Sequence, residues 1–184
     1  MSEFTLENFV ADVRAIAANA DAPKHLRTYF DDLFAAPEQV ELACAGKRGD
    51  EILFEGDTVS VWHCEFAKDV SVPAHDHQLS AVIGVYRGRE RNDFFEAAPD
   101  GGIQRSGQVE LGPGDVLSIG PSAIHSVTSI GNGPCNGLHV YLGNLTRVER
   151  TLFDIDNGVS MRFDDKNYEK LMAPDRFGGP VRAE

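Results

Sequence analysis

The chain has 184 residues, a formal net charge of −12 and a 42% share of hydrophobic residues. That share supports a buried core. The acidic balance argues against nucleic acid or an anionic membrane as the main partner, because both reward a basic face. The length suits one domain, or one domain with extensions. The acidic, amphipathic start MSEFTLENFVADVRA lacks the basic opening and apolar run of a signal peptide, and no stretch approaches the length of a membrane span. The three cysteines, Cys44, Cys64 and Cys135, show no pairing pattern and suggest free thiols in a reducing compartment, so a cytoplasmic protein is the expectation.

Taken in chain order, the first elements are helical. Thr5 is placed to cap a segment in which Leu6, Phe9, Val10, Val13 and Ile16 recur at helical spacing. A second helix is predicted from Pro23 to Phe34, with proline in its first turn and Leu26, Phe30 and Leu33 as its apolar stripe. AAPEQVELACAG adds a short helical turn. From about Ile52 the texture changes to short runs rich in Val, Ile, Phe and Tyr, separated by Gly, Pro and Asp. The predicted strands are Thr58–Phe66, Ser80–Arg87, Glu90–Phe95, Gln108–Leu111, Asp115–Ile119, His125–Ile130 and Gly137–Leu142. This spacing indicates an all-β sandwich or barrel. NDFFEAAPDGGIQRSGQ reads as a long hairpin loop, and LGPGD and IGNGP as tight turns. DDKNYEKLM predicts a short helix, and the last ten or so residues read as loose. The organisation expected is a single domain: a helical extension over 1–48, a β-barrel over 50–145 and a C-terminal extension over 146–184.

PAHDHQLSAVIGVYRG places two of the six histidines on either side of Asp76. Successive side chains of a strand point to opposite faces, so His75 and His77 aim at one side while Asp76 points away, to a solvent or turn contact. Two imidazoles one pleat apart can share a metal ion, and a third ligand must come from a distant strand. His125, opening a predicted strand after GDVLSIGPSAI, is the best candidate. Taken singly, a histidine is usually structural or merely exposed. That reading is preferred for His25, on a predicted helix, and for His63, well upstream.

The motifs carry a family resemblance. HDH with its hydrophobic strand and YRG resembles the first cupin motif, and GPGDVLSIGPSAIH resembles the second. Together, PAHDHQLSAVIGVYRGRERNDFF, AIHSV and LHVY resemble the bacterial branch of the cysteine dioxygenase family of thiol dioxygenases, over about Ile52 to Leu145. The resemblance implies a mainly β cupin fold, a double-stranded β-helix or jelly-roll barrel with N-terminal helices packed on it. It also implies a mononuclear non-haem Fe(II) held by His75, His77 and His125, with a small thiol and O₂ as partners. Ala81 stands where many cupins place a ligating glutamate, so the ligands are three neutral imidazoles without the common carboxylate. The same residue stands where animal cysteine dioxygenases carry a crosslinked cysteine. Of the family's Ser-x-His-x-Tyr triad, His139 and Tyr141 match, and Gly137 occupies the serine position.

The family reads its substrate carboxylate with an arginine or glutamine on an early strand. GKRGDEILFEGD places Asp50 or Glu51 near that position, with Arg48 reachable only by a shift of register. An acidic group there repels a carboxylate and welcomes an amine. The leading expectation is a thiol dioxygenase acting on cysteine or a 3-mercaptopropionate-like thiol. The alternatives are another metal-dependent cupin oxygenase or isomerase, and a non-catalytic metal- or ligand-binding cupin. Sequence leaves the oligomeric state open.

Overall fold

The protein is described by a computed structural model over residues 4–99 and 101–174. The expected loose tail, 175–184, lies outside these residues. Three helices come first: α1 (Leu6–Ala17), α2 (Ala22–Phe34) and α3 (Pro37–Ala43). The Thr5 hydroxyl accepts from the Asn8 N–H at 3.2 Å and caps α1. Pro23 opens α2, where its missing N–H leaves no helix bond unmade. Among the described residues twelve strands follow: β1 (Glu51–Glu55), β2 (Ser60–Phe66), β3 (Val70–Asp76), β4 (Ala81–Arg87), β5 (Glu90–Ala97), β6 (Ile103–Leu111), β7 (Val116–Ile119), β8 (Ile124–Ser129), β9 (Cys135–Tyr141), β10 (Thr151–Asp154), β11 (Val159–Arg162) and β12 (Ala173–Pro174). A short helix, α4 (Asp165–Leu171), separates the last two and matches DDKNYEKLM.

The strands form two antiparallel sheets, in the orders β1-β2-β9-β4-β7 and β11-β10-β3-β8-β5-β6, with β12 also on β3. This is the mainly β, double-stranded β-helix architecture expected, with helices on one outer face. Strand alternation sorts the residues. On β4, Val82 and Tyr86 face outward into a core with Phe9, Val13, Leu26, Phe30 and Phe34 of α1 and α2. Ala81, Ile83 and Val85 face inward, into a second core with Ile119, Cys135, Tyr141 and Leu145. Both faces of β4 are therefore buried, which explains its nearly unbroken apolar run. Gly84 interrupts it for a steric reason: a Cβ there would stand 2.3 Å from the Phe34 ring, so glycine is what lets α2 seat.

Several strands differ from expectation. NDFFEAAPDGGIQRSGQ is not a long loop: β5 and β6 pair from Glu90↔Leu111 to Ala97↔Ile103 around a short turn. As an edge strand, β6 keeps much of its length half-buried or exposed, so its polar residues masked it. β3 contains Pro73, which argues against a central strand; the pairing with β8 accommodates it by a shift of register between Val72 and His75. β1 was not among the strands read from the residue pattern but falls on the early strand that the resemblance implied, and β10 and β11 form a hairpin beyond the predicted barrel. Among the described residues, no helix is long and apolar enough to cross a membrane.

Candidate metal centre

His75 and His125 are direct partners across β3 and β8, and His77 follows β3 by one residue. Gln78 then takes a positive φ of 55° and turns the chain towards β4. The three rings converge, with centroids 4.7 Å (His75–His125), 4.8 Å (His75–His77) and 5.0 Å (His77–His125) apart. One ligand atom from each lies within 4.8 Å of the others, and all three residues are buried. The group can hold one metal ion.

Hydrogen bonds orient two of these ligands. His75 Nδ1 donates to the Pro73 carbonyl at 2.8 Å, and His125 Nδ1 donates to Asn92 Oδ1 at 2.9 Å. Each leaves an Nε2 lone pair facing the centre, and His125 Nε2 is buried with no hydrogen-bond partner among the described residues. His75 and His77 bring their Nε2 atoms to 3.0 Å. Burial lowers the His75 pKa to about 4 against the pull of the Pro73 bond, with the Arg150 charge adding to the depression. Burial likewise takes His77 and His125 well below the usual imidazole range, helped by neighbouring ring charges. Neutral imidazoles are the form that binds metal. The residues present therefore fit a metal ion: they are buried and unprotonated, and His125 Nε2 has no other partner among the described residues.

Of the solvent or turn contact expected of Asp76, the structure shows the turn contact. The residue is 5% exposed, and its carboxylate accepts from the Thr151 N–H at 2.9 Å and from Gln78 Nε2 at 2.8 Å. It fixes the turn after β3 and ties the C-terminal segment beside it.

His139 and Tyr141 face the centre from β9, in the opposite sheet. The Tyr141 and His77 rings are 4.9 Å apart, and His139 Nδ1 is 3.2 Å from the Tyr141 hydroxyl. Burial raises the Tyr141 pKa well above its usual value and lowers that of His139 to about 3, so both are neutral. His139 Nε2 has no hydrogen-bond partner among the described residues. A Cβ on Gly137 would lie 3.5 Å from it but only 2.7 Å from the Gly84 carbonyl oxygen. The close approach of β4 and β9 thus explains why glycine, not serine, stands there. Ala81 is the cross-strand partner of Tyr141 and points into the barrel.

A cavity of about 260 Å³ opens onto the histidines and is also lined by Asp50, Trp62, Cys64, Phe66, Tyr141, Arg150, Phe163 and Tyr168. Of the two acidic candidates it is Asp50 that reaches the cavity; although much of that residue is exposed, its carboxyl is enclosed enough for burial to raise its pKa. Glu51 instead pairs with Lys47, and Arg48 is exposed with its side chain on the Lys47 carbonyl. His25 is exposed on α2. His63 is fully buried, donating from Nδ1 to the Gly49 carbonyl and accepting from the Tyr86 hydroxyl at 2.6 Å, a structural role. The three cysteines are free and buried. Sequence reasoning missed Arg150, Phe163 and Tyr168. The overlooked signal is Asn157-Gly158 between TLFD and VSMR, a hairpin dipeptide flanked by apolar residues; Gly158 has φ +64°.

No protein-family profile and no curated protein matches the sequence. Solved structures do match. A Bacillus halodurans protein superposes with a TM-score of 0.50 at 20% identity, over 56% of this chain and 77% of that one. A cupin superfamily protein of Desulfitobacterium hafniense gives 0.42 at 22% identity, over 53% and 83%. A DMSP lyase of Ruegeria pomeroyi gives 0.42 at 18% identity, over 53% of this chain and 44% of the lyase, so the chain spans less than half of that enzyme. The likeness is one of fold.

Proposed function

We propose that the protein is a non-haem Fe(II)-dependent dioxygenase that adds both atoms of O₂ to the sulfur of a small thiol, R–SH + O₂ → R–SO₂H. The observation that supports this reading most is a ligand group of three buried, neutral imidazoles without a carboxylate, facing a histidine–tyrosine pair across one small cavity. It agrees with the motif resemblance to cysteine dioxygenase-like proteins.

In this reading His75, His77 and His125 hold the iron. Bound iron(II) supplies the electron chemistry with O₂ that side chains lack, and favours the substrate sulfur as thiolate. The Pro73 carbonyl and Asn92 keep Nδ1 of His75 and His125 protonated, so that Nε2 stays available. With its proton on Nδ1, His139 donates to the Tyr141 oxygen, and the phenol's own proton is left to face the cavity as a donor. Burial keeps that phenol protonated through the neutral range. Phe66, Val72, Val127 and Leu145 line the cavity with apolar surface that limits water around the reacting sulfur.

The test is O₂ uptake by iron-loaded protein across cysteine, 3-mercaptopropionate, cysteamine and mercaptosuccinate, with mass spectrometry of the product. Uptake with formation of a sulfinate is expected for at least one. No uptake with any of them ends this reading. Activity with Ni, Mn or Zn and none with iron assigns the centre to a different metal-dependent chemistry.

A further inference from the structure

We infer that Glu90, a residue outside the ligand group, positions the metal centre: through Asn92 it decides which nitrogen of His125 carries the proton and which is left for the metal. Side chains alternate along β5. Asn92 and Phe94 turn inward, where Asn92 Oδ1 accepts from His125 Nδ1 at 2.9 Å and the Phe94 ring stacks on the His125 ring at 6.1 Å. Arg91 and Asp93 turn to the other face and pair there at 2.8 Å. Glu90 shares the inward face and is 1% exposed. Its cross-strand neighbour Leu111 belongs to the inner apolar core, together with Val85 and Cys135.

A carboxyl in such a place is costly, and an apolar side chain of similar size would fill it without that cost. Burial raises the Glu90 pKa against the pull of the hydrogen bonds from Asn92 and Cys135. No cation pairs with it among the described residues. Its two bonds show what it does. Oε1 accepts from Asn92 Nδ2 at 2.8 Å, and Oε2 accepts from the Cys135 thiol at 3.4 Å. The thiol holds the carboxyl from behind, and the carboxyl holds the amide. An asparagine amide has nearly the same shape after a half turn, but its donor and acceptor change places. Rotated, Asn92 would present Nδ2 to His125 Nδ1, and the imidazole would accept there. The ring proton would then sit on Nε2, where it blocks the lone pair that a metal needs. Because Glu90 Oε1 accepts from Nδ2, the rotated amide would also set oxygen against oxygen. Glu90 thus selects the one orientation of Asn92 that leaves His125 Nε2 open.

The inference rests on the metal-binding part of the proposed function and not on the thiol. Zinc affinity is measured by competition against a chelator, and the imidazole nitrogen shifts of the metal-free protein, read by NMR, report where His125 carries its proton. Glu90→Met keeps the bulk and removes the acceptor. It should weaken zinc binding about tenfold, the lower end of what an outer hydrogen-bond partner of a metal ligand contributes, and spread the His125 proton over both nitrogens. Glu90→Gln can still turn an oxygen to Asn92 and should keep most of the affinity and the Nδ1 proton. In the Asn92→Leu background Glu90→Met should cost nothing more, because its effect travels through Asn92. Losses that add in full would make Glu90 a packing residue and overturn the inference. Wild-type affinity with the His125 proton still fixed in Glu90→Met would overturn it equally. If that variant does not fold, Glu90→Asp, which withdraws the acceptor by one methylene, takes its place with the same two readings. A wild type that binds no metal removes the iron reading, whereas the His125 tautomer in the metal-free variants still decides the role of Glu90.

Discussion

His75 and His125 face each other as Cα partners on β3 and β8, with ring centroids 4.7 Å apart, although fifty positions of chain separate them in the sequence. Each brings an Nε2 lone pair whose direction is fixed from behind, by Pro73 in one case and Asn92 in the other. Replacing either removes one of only three donors. His75→Ala and His125→Ala should therefore lose iron and activity together, read as metal content after desalting and as O₂ uptake. Tyr141→Phe removes only a hydroxyl outside the ligand group and should keep iron while slowing turnover roughly tenfold to a hundredfold. Equal iron loss in both kinds of variant would undo this division of roles.

Asn92 connects His125 to a further buried group. Its Oδ1 accepts from His125 Nδ1, its Nδ2 donates to Glu90 Oε1 at 2.8 Å, and Cys135 Sγ donates to the other Glu90 oxygen at 3.4 Å. Asn92→Leu keeps the bulk and removes the acceptor, so His125 loses its fixed tautomer. Metal affinity should fall about 10–100-fold, measured by competition against a chelator, with metal still bound at saturation. Unchanged affinity would mean that Asn92 only fills space.

Legibility in the sequence followed the period of the side chains. The His-x-His spacing, the alternation on β4 and β9 and the Thr5 cap are local patterns, and the structure has the corresponding elements where they were expected. What could not be read locally depended on long-range contact. The second contact of Asp76 could not be read because nothing in PAHDH reveals that Thr151 arrives beside it. Pro73 disguised β3, since only the partner strand shows how the register shifts around it. Arg150 was invisible as a cavity residue because the hairpin that carries it pairs with β3. The Asn157-Gly158 turn was a readable sign of that hairpin.

Gly137 offers a test of the strand packing. A Cβ there meets the Gly84 carbonyl oxygen at 2.7 Å, and backbone on a central strand has little room to yield. Gly137→Ala should destabilise by about 1–3 kcal/mol through overpacking. Gly137→Ser carries the same clash but brings a hydroxyl near the unpaired His139 Nε2, so it should recover about 1 kcal/mol of that loss. Thermal melts of both variants check the order wild type, serine, alanine. A serine variant below the alanine variant would show that His139 Nε2 gains nothing from a partner there.

The buried histidines set the acid response of the metal-free protein. Burial holds His139 at about 3 and His75 at about 4, below the unfolded value near 6.5, and shifts His77 and His125 in the same direction. Below about pH 6.5 the unfolded chain takes up protons at these positions that the folded chain refuses until far lower pH. The unfolded state then binds more protons, so stability falls as pH falls, with a limiting slope of about 1.4 kcal/mol per pH unit for each histidine. Denaturant midpoints of metal-free protein should drop clearly between pH 7.5 and 5.5. His139→Gln should flatten that slope by up to one proton, because it removes one such group from both states. Metal shifts the curve upward, since it binds only the folded, deprotonated site, and that shift should persist over the same interval, because the folded imidazoles take up protons only at far lower pH. Metal-free protein as stable at pH 5.5 as at pH 7.5 would mean that the imidazoles take up protons in the folded state, and that the group is not the neutral ligand set on which the iron reading depends.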